Sequence, residues 1–262
     1  METERTKLQK KYGGIFRNSR LTRFDEDKYG YEGLASDIIS TLLKFDKGDI
    51  KFEECTAGFN DKGFSGSRVV GVGSKLVLCT NLYNILTYNG TDMSFYTDFR
   101  LAHPDRRCCL LYEKASQLNI RDFREYFTKI VLLDYITFNS ERTLKDIPVV
   151  VTEKGTIWLS YIGVYSGGLL SNRQKYSVSA PIKKNLSISR PMLFGWDFAE
   201  QAKSVNDQVF NRYKFYFAER DIEFLLNSYS SDVYPDYLVQ RALKTLEIGL
   251  KKSKGTAWEP YV

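Results

Sequence analysis

Between Asn119 and Phe138 the sequence runs NIRDFREYFTKIVLLDYITF, and this stretch constrains the fold more than any other. Ile120, Phe123, Phe127, Ile130 and Val131 recur at helical spacing, so it reads as a long helix with a buried inner face. Asn119 is placed to cap it, with Asp122 three residues on. The other elements must pack around such a rod. The next residues are polar, Asn139-Ser140-Glu141-Arg142, and an apolar run PVVVTEKGTIWLSYI follows. That run predicts a hairpin turning at Glu153-Lys154-Gly155.

Upstream, GYEGLASDIISTLLKF sets Ala35, Ile38, Ile39 and Leu42 on one helical face. IKFEECTA, SRVVGV and KLVLCT read as short strands between turns containing Gly and Asp. Downstream the chain is mostly helical. GWDFAEQAKSV and NRYKFYFAERDIEFLLNSY each predict a helix. PDYLVQRALKTLEIGLKKSKG predicts a third, with Pro235 near its start and Lys251 and Lys252 near its end. The order predicts an α+β, two-lobed chain. Residues 1–95 would form a lobe of short strands plus one helix. Residues 96–262 would form a helical lobe holding the loop and hairpin.

Aromatic residues make up 15% of the 262, enough for a substantial core. The net charge of +6 suits an acidic or phosphate-bearing partner, but it is too small by itself to mark a nucleic-acid binder. No apolar run reaches the roughly 20 residues that span a bilayer. The polar start METERTKLQKKYGG predicts neither signal peptide nor anchor, so a cytoplasmic location is expected. Cys55, Cys79, Cys108 and Cys109 form no C-x-x-C pair, and His103 is the one histidine. This pattern argues against zinc and for reduced, mostly buried thiols. CCLLY reads as the start of a strand, and His103 as a surface loop residue.

The segment Leu133-Asp134-Tyr135-Ile136-Thr137-Phe138-Asn139-Ser140-Glu141-Arg142-Thr143-Leu144-Lys145-Asp146 resembles the catalytic segment of the HipA-like protein kinases, F-D-Y-L-T-x-N-x-D-R-H-x-x-N, in particular of compact bacterial and phage-type relatives. Three further segments agree in order. YGYEGLAS (29–36) is similar to a G-Y-E-G-L-A-E helix start, SISRPMLFGWDFAEQ to a K-P-F-x-x-x-F-x-x-Q segment, and YPDYLVQRALKTL to a closing helix. The resemblance spans most of residues 29–250. It implies a kinase-like fold with a reduced N-lobe and a mainly helical C-lobe, with ATP and Mg²⁺ as cofactors if the site still holds them.

The departures fall where the chemistry would be. Phosphoryl transfer needs a carboxylate to orient the hydroxyl, metal-holding groups, and a cation on the phosphates. By the resemblance, the catalytic Asp becomes Glu141, next to Arg142, and the extra methylene displaces the carboxylate. A shift of about 1 Å can cost roughly 10²-fold in rate. The metal-holding Asn becomes Asp146, which could still ligate Mg²⁺. The His after the Arg becomes Thr143, and the second metal carboxylate becomes Val164. Gly13-Gly14 would form a shortened Gly-rich turn. Arg23 would stand for the phosphate-binding Lys, with Glu32 as its helix partner, although Arg is not a geometric substitute for Lys.

Each of these residues also has a plainer reading. Glu141, Arg142 and Asp146 could be a solvated loop, with Arg142 pairing with a nearby carboxylate and Asp134 bonded to loop backbone. GVGSK (71–75) lacks phosphate-loop spacing and reads as a turn. Ser171–Pro191 carries Arg173, Lys175, Lys183, Lys184 and Arg190 with Tyr176. It could meet nucleic acid or an acidic partner, or be a mobile loop resembling an activation segment. The leading expectation is therefore a degenerate kinase, a pseudokinase acting through a protein partner or as an inhibitor. An active Ser/Thr kinase with rewired metal ligands, and a basic nucleic-acid-binding protein, are the alternatives.

Overall fold

The computed structural model describes residues 3–18, 22–49, 51–70, 76–159, 161–209 and 213–253. Near its N-terminal end, helix α1 (Glu4–Tyr12) precedes strand β1 (Ile15–Asn18), and strand β2 (Thr22–Glu26) leads to helix α2 (Glu32–Leu43). Strands β3 (Glu54–Phe59), β4 (Ser65–Val70) and β5 (Leu76–Asn81) follow. β2, β4 and β3 form a three-stranded antiparallel sheet with β4 in the middle. α2 packs on it because Leu34, Ala35, Ile38, Ile39, Leu42 and Leu43 are all buried. Its polar side chains complete the join. Ser40 Oγ accepts the Cys55 N–H at 3.0 Å, and Asp37 Oδ2 accepts those of Ala57 and the Tyr229 hydroxyl. Gly33 lets the helix start lie directly on β4, since a Cβ there would stand 2.4 Å from the Gly66 carbonyl oxygen.

Helices α3 (Leu82–Leu86), α4 (Ser94–Leu101), α5 (Pro104–Gln117) and α6 (Phe123–Thr137) come next. A 3₁₀ turn at Leu144–Asp146 then leads into β6 (Pro148–Val151) and β7 (Ile157–Trp158), the expected hairpin. The second sheet has the order β1-β5-β6-β7. In it, Leu78 pairs with Val151 and Cys79 with Val150, so one antiparallel ladder joins strands from either side of residue 95.

α6 is the buried rod the sequence implies. Phe127, Ile130 and Val131 are fully enclosed, and Phe123 stacks on Phe127 with centroids 4.9 Å apart. Each such apolar side chain contributes about 1.5–3 kcal/mol on burial. Its start differs from expectation. Asn119 adopts a left-handed φ of 50° after α5, and Asp122, with φ 56°, precedes the first helical residue. The intervening backbone is used by β7, because the Arg121 N–H donates to Ile157 and its carbonyl accepts from Leu159.

The remaining helices are α7 (Ile182–Ile188), α8 (Phe198–Val209), α9 (Glu219–Ser228) and α10 (Asp236–Ser253). α8 and α10 pack on α6. At Gly249 the contact is backbone on backbone, since an added Cβ would lie 1.8 Å from the Ile136 carbonyl oxygen. Three expectations are corrected here. Cys108 and Cys109 lie in α5, because Pro104 starts a helix there instead of a strand. The helix expected over NRYKFYFAERDIEFLLNSY begins only at Glu219, since Phe215 and Phe217 stack in the core outside helical geometry. Ser171–Pro191 is not wholly irregular: α7 occupies its second half and Tyr176 is buried, while Arg173, Lys175, Lys183, Lys184 and Arg190 are exposed.

The class is α+β, with two small antiparallel sheets among helices. No helix among the described residues is long and apolar enough to cross a membrane.

Candidate functional site

One cleft of about 560 Å³ gathers residues far apart in sequence. β2 supplies Arg23 and Asp25, and the turn into α2 supplies Lys28 and Glu32. Glu53 enters just ahead of β3. Glu141 and Val164 close the opposite wall, from the loop after α6 and the stretch after the hairpin. Arg23, Glu32 and Glu141 thus share one cavity. Asp146 and Arg142 are not among its lining residues.

Arg23 does not pair with Glu32. Its Nη1 and Nη2 donate to the two carboxylate oxygens of Glu53, at 2.9 and 3.1 Å, and its Nε donates to Asp25 at 3.1 Å. Glu53 is 4% exposed, so this is a charge-assisted fork in a largely desolvated place. Burial pulls the guanidinium pKa down, but the hydrogen bonds and charge of Glu53 outweigh it and hold Arg23 firmly protonated. Glu32 is occupied locally. It accepts the N–H groups of Tyr29 at 2.7 Å and Gly30 at 2.9 Å, in the turn that leads into α2. Burial raises its carboxyl pKa, partly offset by those same bonds.

Glu53 is the functional candidate that sequence reasoning missed, and period-two alternation could have found it. Cys55 is a buried strand residue, so Glu53 shares its inward face while Glu54 points out. Cys55 also lines the cleft, and burial pushes its thiol pKa up.

The loop after α6 is held from both sides. The left-handed Phe138 (φ 52°) ends the helix. Ser140 is buried and accepts from the Tyr176 hydroxyl at 2.6 Å, so Tyr176 serves this loop instead of a nucleic-acid surface. Glu141 is half-buried, and its Oε1 accepts from Asn172 Nδ2 at 2.7 Å, which fixes the carboxylate at the cleft wall. Gly167 leaves room for this loop, since a Cβ there would lie 2.7 Å from Glu141 Cβ.

Arg142 faces the core. Its Nε is 2.8 Å from both oxygens of Asp134, and its Nη1 donates to the Gly163 carbonyl at 2.9 Å. Both side chains are 1% exposed. Burial pushes the Asp134 carboxyl up while the Arg142 charge pulls it down. Arg142 is therefore a structural clamp between α6, its loop and the post-hairpin stretch, matching the plainer sequence reading. Asp134 bonds to that guanidinium, not simply to loop backbone as expected.

Asp146 does not line the cleft. Its Oδ2 accepts from the Thr143 N–H at 2.8 Å and the Thr143 hydroxyl at 2.6 Å, closing a capping box on the 3₁₀ turn. Thr143 supplies both the backbone and the hydroxyl donor of that box. Val164 sits in the cleft wall with φ 60°, an outlier for a β-branched residue, and its N–H donates to Glu53 at 3.3 Å. No group of three or more His, Cys, Asp or Glu side chains is placed to hold a metal ion among the described residues. The two positions assigned to Mg²⁺ do not place a pair of carboxylates in the cleft, since Asp146 is not among its lining residues and the other position is Val164.

Gly13 and Gly14 are left-handed and turn α1 into β1 against Asn89 and Cys79, away from the cleft residues, so they form no phosphate turn there. GVGSK (71–75) lies outside the described residues. His103 precedes α5 at the surface, with its ring edge-on to Trp196. No protein-family model matches the sequence, and no curated protein matches it.

Proposed function

We propose that this chain is a HipA-like, kinase-type protein whose site no longer performs metal-dependent phosphoryl transfer, and that it acts by binding a protein partner through the surface around its cleft. The observation that carries the reading is the fate of Asp146. Its Oδ2 accepts from Thr143 and it does not line the cleft, while the other metal position is an apolar Val164. The cation assigned to the phosphates, Arg23, is already forked onto Glu53. The cleft carries five carboxylates, Asp25, Glu26, Glu32, Glu53 and Glu141, against Arg23 and Lys28, a sign of charge that opposes a bare triphosphate. Incubation with γ-labelled ATP and Mg²⁺ tests it. Neither the protein nor a generic acceptor should gain label, and calorimetry should show no Mg²⁺-dependent ATP binding. Stoichiometric labelling within minutes that is abolished by Glu141→Gln would refute the reading.

One observation favours the rewired kinase. Glu141 is the assigned catalytic residue, and Asn172 holds its carboxylate at the cleft wall. Labelling that depends on Glu141 would support it.

A further inference from the structure

A second concavity lies on the other side of the Glu141 loop, and its charge is opposite to that of the cleft. It has a volume of about 510 Å³ and is bounded by α3, α4, α5 and the 3₁₀ turn. Arg100, Arg107 and Lys145 line it, and no carboxylate does. None of the three makes an ion pair among the described residues. Tyr83, Tyr96 and Phe99 supply its aromatic wall.

We infer that this pocket, where Arg100, Arg107 and Lys145 meet the rings of Tyr83 and Tyr96, binds a nucleoside monophosphate group. Three cations in a concave site that no carboxylate lines concentrate anions there. Arg107 is held in place for this. Its Nε donates to the Ala102 carbonyl at 3.1 Å and its Nη2 to that of Arg100 at 2.8 Å, with the guanidinium 5.7 Å from the Phe99 centroid. Its Nη1 makes no hydrogen bond among the described residues and is available to a phosphate oxygen. Lys145 stands 5.0 Å from the Tyr83 centroid, and Tyr83 meets Tyr96 edge to face at 5.0 Å and 87°. Aromatic faces beside cations are the walls that receive a planar base next to its phosphate. The volume falls within the roughly 300–1,000 Å³ usual for small-ligand sites.

The site shares no lining residue with the cleft, so it does not rest on the cleft's chemistry. The phosphate and base could belong to a free nucleotide or to a unit of a single strand. Calorimetric titration of the full chain at low salt with 5′-AMP, inorganic phosphate and a thymidylate octamer separates these sources. AMP should bind, more tightly than phosphate alone, and Arg100→Ala/Lys145→Ala should weaken it at least tenfold. Both side chains are exposed, so the fold should tolerate their loss. Lys183→Ala/Lys184→Ala removes the same charge from α7 and should leave AMP affinity within about twofold. An octamer that binds more than tenfold tighter than AMP through Arg100 and Lys145 would support the site and make the ligand a single strand. No binding of AMP or the octamer, or equal losses in both variants, would overturn the inference. Phosphate binding as tightly as AMP would overturn the assignment of a planar group.

Discussion

Arg142 and Asp134 stand eight residues apart in sequence and meet in the core, with the guanidinium Nε 2.8 Å from each carboxylate oxygen. Removing one partner leaves the other charge buried without its counter-ion, which typically costs 3–5 kcal/mol. Arg142→Met should therefore destabilise the chain by about that amount in urea denaturation. Arg142→Met/Asp134→Leu should recover a large part of the loss. A single variant within about 0.5 kcal/mol of native would show that the pair does not clamp the loop.

The fork between Arg23 and Glu53 can be told apart from the Arg23–Glu32 pairing that the sequence suggests. A double-mutant cycle of Arg23→Ala with Glu53→Gln should give a coupling of about 1–2 kcal/mol, held to the low side because Arg23 is one-third exposed. The cycle with Glu32→Gln should give a coupling near zero. Equal couplings would contradict the geometry.

Gly249 sits in α10, where alanine would ordinarily gain about 1 kcal/mol of helix propensity. The Ile136 carbonyl leaves no room for a Cβ, and backbone cannot swing aside as a flexible side chain does. Gly249→Ala should lower stability by about 2 kcal/mol or more, read as a reduced melting temperature. A melting temperature at or above native would mean that α10 and α6 are not in backbone contact.

Val164 holds a left-handed backbone at the cleft wall. Such a conformation costs a non-glycine residue about 1–2 kcal/mol, which glycine relieves at some cost in unfolded-state entropy. Val164→Gly should be neutral to about 1 kcal/mol stabilising in urea denaturation. A loss above 1 kcal/mol would indicate that the valine side chain holds the wall through packing.

Cys55 lines the cleft yet is 3% exposed, with its thiol pKa raised by burial. Maleimide at pH 8 should leave Cys55 and the equally enclosed Cys108 unmodified in the native protein, while the half-buried Cys79 and Cys109 react first. Mass mapping of the modified peptides checks the order. Early modification of Cys55 would show that the cleft opens to its floor.

The sequence by itself determined the elements whose periodicity is strong. α2, α6, α10, the β6–β7 hairpin and strands β3 to β5 follow from apolar spacing, because burying one face dominates the local choice. It also brought Arg23, Glu32, Glu141 and Val164 forward as site residues, and the fold gathers them in one cleft. What it could not carry is partner choice among charged groups. A carboxylate's role depends on which donor lies within about 3 Å, and that is decided by packing between segments distant in sequence. Thus Arg23 forks onto Glu53 instead of Glu32, which accepts from the turn just ahead of its helix. Asp146 bonds Thr143 instead of lining the cleft, and Arg142 clamps the core. Only the tertiary structure set these choices, because the strand order places Arg23 beside Glu53 across β4, and the 3₁₀ turn after Thr143 ties Asp146 into its capping box.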